Sequence, residues 1–287
     1  MPYGFPSGRD LLKTILDDLR PNSSSTLHTT LGELGITEDC IRTFRNDLYY
    51  SGSSSVDAFL EHRQEFLEIG KLAITLSLIP LEEEHRLFDM KLREQSWYEY
   101  LFGKLRTQFN SFDQNRLSII TFNYDRSLEH YIFTAMKHFF GKSEDECARK
   151  LNNIPIIHVH GRLGPLPWQD ATGRAYLNRP DVLKAEELKH ISEQINVISE
   201  NDEASSHFDH PYKLMLDAER IYFFGFGYSE INLRRLKIDE LDNKELMGKA
   251  YGLGSAEIKA ITEKWRIKLP DKSRKILEWL KEFTLLA

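Results

Sequence analysis

Three short segments carry residue types that could do chemistry. In Ile119-Ile-Thr-Phe-Asn-Tyr-Asp125 an apolar run ends abruptly in Asn123 and Asp125. An amide and a carboxylate at the carboxyl end of a strand can touch a substrate while the apolar run behind them anchors the position, and open α/β sheets bind ligands at that edge. In Ile156-Ile-His-Val-His160-Gly161, period-two alternation puts His158 and His160 on one face. An imidazole with an ordinary pKa near ~6.5 suits general-base work at neutral pH. In Phe224-Gly-Phe-Gly-Tyr-Ser-Glu230, Gly225 and Gly227 permit a tight turn and close backbone approach to a phosphate or ribose. The third glycine of a full dinucleotide fingerprint is missing.

Each segment also has a plainer reading. Asp125 could be a helix N-cap and Asn123 a turn residue, while Ser229 could simply cap the helix after Gly227. A structural role is favoured for His158 and a functional one for His160. The two histidines could bind a metal, but no third ligand is evident nearby. Elsewhere bland readings win. Glu82 to Glu84 reads as a solvated acidic face, His207 and His210 as surface histidines, Lys71 as a snorkelling lysine, and Phe133, Phe139 and Phe140 as core.

These residues need elements to position them. A glycine- and proline-rich loop opens the chain, and a helix over Asp10 to Leu19 presents Leu11, Leu12, Ile15, Leu16 and Leu19 on one face. From Leu27 to Phe112 the periodicity is helical, with Ser55 as a capping residue before Phe59 and Leu60, and Trp97 to Leu105 as a later helix. After Gln114 strands and helices alternate. Strands are expected over Leu117 to Phe122, Ile154 to Val159 and Ile221 to Phe226. Helices are expected over Arg126 to Phe140, in the second half of Arg174 to Ile198, and over His210 to Glu219. Asn201 to Ser206 reads as a polar connector. Short apolar strands between helices indicate a parallel sheet covered on both faces. The expectation is an α/β, Rossmann-like, doubly wound parallel sheet, formed by residues 1–22 and 114–287, with an all-helical insertion at 23–113.

The bulk numbers allow this. A chain of 287 residues with 41% hydrophobic and 29% charged residues has the composition of an ordinary globular protein. A net charge of -6 argues against direct nucleic-acid binding, which favours basic faces. Two cysteines, Cys40 and Cys147, cannot build a cysteine zinc module. With no disulfide framework and no apolar run approaching ~18 residues, a cytoplasmic protein without a membrane span is expected.

Taken together and in order, the three segments resemble the sirtuin family, and more closely the zinc-less, sirtuin-like NAD hydrolases of bacterial antiphage defence. Thr121-Phe-Asn-Tyr-Asp125 looks like the family's Thr-x-Asn-x-Asp motif, and His160-Gly161 matches its catalytic His-Gly. The resemblance implies catalytic roles for Asn123, Asp125 and His160. Asn123 would orient water and ribose, and His160 would act as general base. Asp125 would position His160 or bind the ribose and nicotinamide end. Gly225-Phe-Gly-Tyr-Ser229 is similar to the turn that holds the adenosine side of NAD, which gives Gly225, Gly227, Tyr228 and Ser229 cofactor-side roles, as the Thr-x-Asn-x-Asp likeness does Thr121. Gly4, Phe5 and Pro6 look like the loop covering the nicotinamide end, with Ser7-Gly8 in place of the family's Asp-Phe. Ala250-Tyr-Gly-Leu-Gly254 is similar to a later nucleotide-side segment.

The family's opening strand and Gly-Ala-Gly-x-Ser loop are missing from this sequence. The zinc cysteines are also absent, which favours plain NAD cleavage, with NAD as substrate and no zinc, over protein deacylation. The alternatives are a catalytically silent module that binds NAD or ADP-ribose or scaffolds an assembly, and an NAD-dependent deacylase. The resemblance further implies a homo-oligomer, or a partner defence protein that controls the enzyme.

Overall fold

A computed structural model describes residues 3–21, 23–179, 183–197, 206–270 and 274–283. The polar connector expected over Asn201 to Ser206 falls outside these residues, Ser206 excepted. In chain order the elements are α1 (Gly8–Asp18), α2 (Thr26–Glu33), α3 (Glu38–Tyr50), α4 (Val56–His62), α5 (Leu67–Leu78), a single turn α6 (Glu84–Leu87) and α7 (Trp97–Leu105). Then come β1 (Ile119–Thr121), α8 (Ser127–Phe140), α9 (Glu144–Leu151), β2 (Ile156–His158), α10 (Ala185–Glu193) and α11 (Asp209–Asp217). The last are β3 (Arg220–Phe223), α12 (Glu230–Arg235), β4 (Glu245–Gly248), α13 (Ser255–Trp265) and α14 (Ile276–Phe283). The chain divides into two compact units. One comprises Met1–Arg93, Asn123–Asn152 and His160–Asn201, the other Glu94–Phe122, Asn153–Val159 and Asp202–Ala287.

The first unit is helical. Its centre is α5, apolar on nearly every side, with Ile69, Leu72, Ala73, Ile74, Leu76 and Leu78 all buried. A helix apolar all round is stable only when enclosed, and α1, α2, α4 and α10 pack against it. Gly70 makes the α4 contact possible, since a Cβ there would come within 2.5 Å of Leu60. Helix starts follow the sequence closely. Ser55 accepts a hydrogen bond from the Ala58 backbone N–H at 3.2 Å, as expected. Ser7 and Asp10 form a full capping box at the start of α1, so Ser7, noted only as a departure from the family motif, is a helix cap.

The second unit holds the strands, which form two parallel pairs. β1 pairs with β2 in the register Ile119↔Ile156, Ile120↔Ile157, Thr121↔His158. β3 pairs with β4 from Arg220↔Glu245 to Phe223↔Gly248. Lys268 extends the second pair through a parallel bridge to Met247. The expected strand-helix alternation and parallel pairing are present, while the strands are three or four residues long, shorter than the apolar runs that predict them. Aromatic packing anchors this unit. Trp279 of α14 is fully buried, with the Tyr222 ring 5.9 Å and the Phe224 ring 5.2 Å from its own. Among the described residues no helix is long and apolar enough to cross a membrane.

Two minor expectations are corrected. Phe139 is 53% exposed rather than core, because the apolar face of α8 is carried by Ile132, Phe133 and Met136. Glu82 is buried rather than solvated, for a reason that bears on the candidate site.

Candidate functional site

The site residues divide between the two units. Gly4, Phe5, Pro6, Asn123, Asp125 and His160 belong to the first, whereas Thr121, Gly225, Gly227, Tyr228 and Ser229 belong to the second.

In the first unit the chain leaving β1 meets the chain leaving β2. The Tyr124 carbonyl accepts from Leu163 N–H at 3.1 Å, and the Tyr124 and His160 rings are 6.4 Å apart. Asn123 is exposed, Asp125 half-buried and His160 buried. Asp125 resolves its two readings in part. Its Oδ1 accepts from the Ser127 backbone N–H at 3.2 Å and from the Ser127 hydroxyl, an Asx-type turn that starts α8. One oxygen of the carboxylate therefore has a structural duty. The Tyr124 side chain is equally committed: its hydroxyl donates to Asp57, and burial first, then the Asp57 charge, pushes its pKa well up.

Gly161 adopts φ 75°. A Cβ there would lie 1.9 Å from the Gln194 carbonyl oxygen. The glycine thus lets residues 194–196 close over this turn, where Asn196 N–H donates to the His160 carbonyl at 2.8 Å. The backbone carrying His160 is clamped by that contact, the kind of rigid support a functional side chain needs.

Directly after Asp125 stands a buried polar cluster. Arg126 has no exposed surface and forms a two-pronged ion pair with Glu82, Nε to Oε1 at 2.9 Å and Nη2 to Oε2 at 2.7 Å. Its remaining N–H groups donate to the carbonyls of Pro165 at 3.0 Å, Arg174 at 2.9 Å and Ala175 at 3.2 Å. Arg174 also donates to Glu82. Burying such a pair is costly unless the remaining donors and lone pairs find partners, and here three carbonyls and the Arg174 guanidinium supply them. The network ties the strand exit to the segment 165–175. Tyr176 follows, buried with its hydroxyl lacking a hydrogen-bond partner. Burial, and then the charges of Glu82 and Asp125, raise its pKa far above the usual value.

Sequence reasoning missed Arg126, Glu82 and Tyr176. Arg126 was read as a helix start. Glu82 sat beside two other glutamates, with no local mark of its distant partners. Its one signal was position, at the end of the apolar stretch Leu67–Leu81.

In the opening loop, Gly4 has φ 86° and its backbone lies close to Arg86, whose Nη1 would be 2.8 Å from a Cβ. Phe5 is buried and Pro6 half-buried.

The glycine turn of the second unit is built differently. Gly225, Gly227 and Tyr228 all have positive φ, at 61°, 72° and 54°. A Cβ on either glycine would meet nothing within 4 Å, so the space above the turn is open. Tyr228 is buried and its hydroxyl donates to the Lys249 carbonyl at 3.0 Å, over Gly248, where a Cβ would collide with that hydroxyl at 2.1 Å. Ser229 is the N-cap of α12 by position, but its side chain makes no capping bond, and α12 is only six residues long. Thr121 ends β1, its carbonyl accepting from Val159 N–H at 2.9 Å. Just beyond β1, the Phe122 ring packs on Phe226 of the glycine turn at 5.2 Å and 70°. That edge contact brings the carboxyl ends of the two strand pairs to one place within this unit.

Among the described residues no group of three or more histidine, cysteine or acidic side chains is placed to hold a metal. Comparison with protein-family models, with curated proteins and with solved structures finds no match to this chain.

Proposed function

We propose that the chain is an NAD hydrolase that cleaves NAD to nicotinamide and ADP-ribose, serving antiphage defence by NAD depletion. The observation that carries this reading is the parallel register Thr121↔His158. Parallel neighbours end on the same side, so the chain delivers Asn123 and Asp125 from one strand and His160 from the next. In this reading the two parallel pairs belong to one Rossmann-like, doubly wound sheet, with β1 beside β3. The Phe122–Phe226 contact supports that order. Gly225 and Gly227 then offer open backbone to the adenosine side of NAD.

The chemistry follows from the residue types. The nicotinamide-ribose bond breaks with its electron pair leaving on nicotinamide, and the ribose carbon becomes oxocarbenium-like. Asn123, exposed at the strand end, orients the attacking water and the ribose. His160 accepts the proton that the water releases, directly or through a ribose hydroxyl. Asp125 positions that imidazole or hydrogen-bonds the nicotinamide ribose. Such a general base contributes about 10²-fold or more in rate.

A second reading, NAD or ADP-ribose binding without turnover, is favoured by one observation: His160 is only 8% exposed. Incubating the chain with NAD and quantifying nicotinamide, alongside calorimetric NAD binding, separates the two. Release of nicotinamide without any peptide is the expected result. Binding without release would favour the sensor, release only with an acyl-lysine peptide would indicate deacylation, and neither binding nor release would remove the proposal.

A further inference from the structure

A cavity of about 300 Å³ lies within the first unit, between one face of α8 and the segment 166–177. Its walls are flat rings in parallel pairs. His130 stacks on Tyr176 with centroids 4.3 Å apart and 9° between planes, and Phe133 stacks on Trp168 at 4.9 Å and 6°. His130 and Phe133 stand three residues apart on α8, so their rings lie one above the other on the same face. Thr134 and Lys137 line it as well, adding a hydroxyl and an ammonium.

The opposite wall is fixed in place. Arg126 holds the carbonyls of Pro165 and Arg174. Gln169 Oε1 accepts from Leu166 N–H at 2.9 Å and from Arg162 at 3.0 Å. Asp170 accepts from the Thr172 backbone and hydroxyl at 2.8 and 2.7 Å. A Cβ on Gly173 would come 2.4 Å from the Leu166 carbonyl oxygen, so this fold of the segment requires the glycine. A preformed concave site with flat apolar walls and a few polar groups is the usual form of a small-molecule site, and preorganisation lowers the cost of binding.

Charge decides the ligand class. Lys137 of α8 is already paired with Glu144 at 2.8 Å, and the His130 ring, whose pKa burial lowers, is hydrogen-bonded to Glu84 at 3.0 Å. A free anion or cation would have to break one of these pairs. A neutral ring would not, and it could still find hydrogen bonds at its edge from Thr134, Lys137 and Glu84. The ring surface left outside the two stacks favours a flat partner, and stacking a base on an aromatic side chain is worth about 1–3 kcal/mol.

We propose that this cavity binds a planar, uncharged heteroaromatic ring carrying edge donors and acceptors, namely a nucleobase, free or as its nucleoside. The proposal is independent of the assignment of NAD hydrolysis.

The test titrates the full chain with adenine, adenosine and adenosine 5′-phosphate by calorimetry. Saturable binding of adenine or adenosine with a Kd below about 1 mM is expected, the nucleotide binding no more tightly than the nucleoside. Which of base and nucleoside binds better tells whether the sugar is part of the ligand. Two substitutions fill the cavity from different positions, Thr134→Phe on the half-buried wall and His138→Trp on the exposed rim. Each should weaken adenosine binding by tenfold or more, and His138→Trp does so without disturbing the core. No saturable binding, binding that survives both substitutions, or clear preference for the nucleotide would each overturn the proposal.

Discussion

At residues 123–127 and again at residues 224–229 the chain leaves a strand into a turn that offers polar groups, but the two turns are secured by different physics. The first is secured by charge. Arg126, fully buried, spans Glu82 and the backbone carbonyls of Pro165, Arg174 and Ala175, and Asp125 forms an Asx-type turn with Ser127 at the start of α8. The second is secured by rings and backbone conformation. Phe226 packs edge to face with Phe122 and Tyr228 and at a tilt with Phe223, and positive φ at Gly225, Gly227 and Tyr228 shapes the turn. A charge network fixes side chains to directions, which suits groups that move protons. Glycines over open space present bare N–H and carbonyl groups, which suits contact with a nucleotide backbone. The division of labour in the proposed reaction follows that difference in construction.

The largest test removes the charge. Arg126→Met leaves Glu82 buried with only Arg174 as counter-ion, and should destabilise the chain by about 3–5 kcal/mol, measured as a lowered midpoint of denaturant unfolding. A change within about 0.5 kcal/mol would show that the network is not what holds the strand exit. Its counterpart is Trp279→Ala, with a similar expected loss of about 3–5 kcal/mol from packing.

Glycine substitutions sharpen the contrast further. Gly161→Ala must displace the Gln194 backbone as well as tolerate φ 75°, whereas Gly225→Ala meets only the left-handed strain of about 1–2 kcal/mol. Equal losses from the two would erase the distinction between a glycine needed for close approach and one needed for conformation.

Tyr176→Phe should be mildly stabilising, by about 1 kcal/mol, because it removes a buried hydroxyl that has no partner. A clear loss of stability would mean the hydroxyl has an acceptor.

The smallest effect is on pH dependence. Burial lowers the His130 pKa below its ordinary 6.5, against the opposing pull of Glu84. The folded state therefore resists a proton that the unfolded chain accepts, and stability falls as pH drops through and below about 6.5. His130→Phe should reduce that fall, read as the change in thermal midpoint between neutral and mildly acidic buffer. An unchanged slope would mean other groups set it.

Much of this architecture was legible in the sequence where the information is local. The α8 helix begins within one residue of its expected start, and Ser55 and the Trp97 helix stand where their capping and periodicity put them. The parallel pairing of β1 with β2 was implied by short apolar strands between helices. What was hidden depends on partners far along the chain. Glu82 is 44 residues from Arg126 and 92 from Arg174, and nothing beside it distinguishes it from Glu83. The stacks of α8 on Trp168 and Tyr176 were invisible for the same reason, since residues 162–177 have no periodicity to read. Gly161 stood out in the sequence only as part of the His160-Gly161 match, whereas the backbone that requires the glycine belongs to Gln194, 33 residues on.

The most direct measurement compares nicotinamide release from NAD by the unaltered chain and by Asn123→Ala, with thermal unfolding of both as a control. Asn123 is exposed, so its loss should leave the unfolding midpoint in place while turnover falls by about 10²-fold or more. Full turnover in the folded variant, or none in the unaltered chain, would contradict the account.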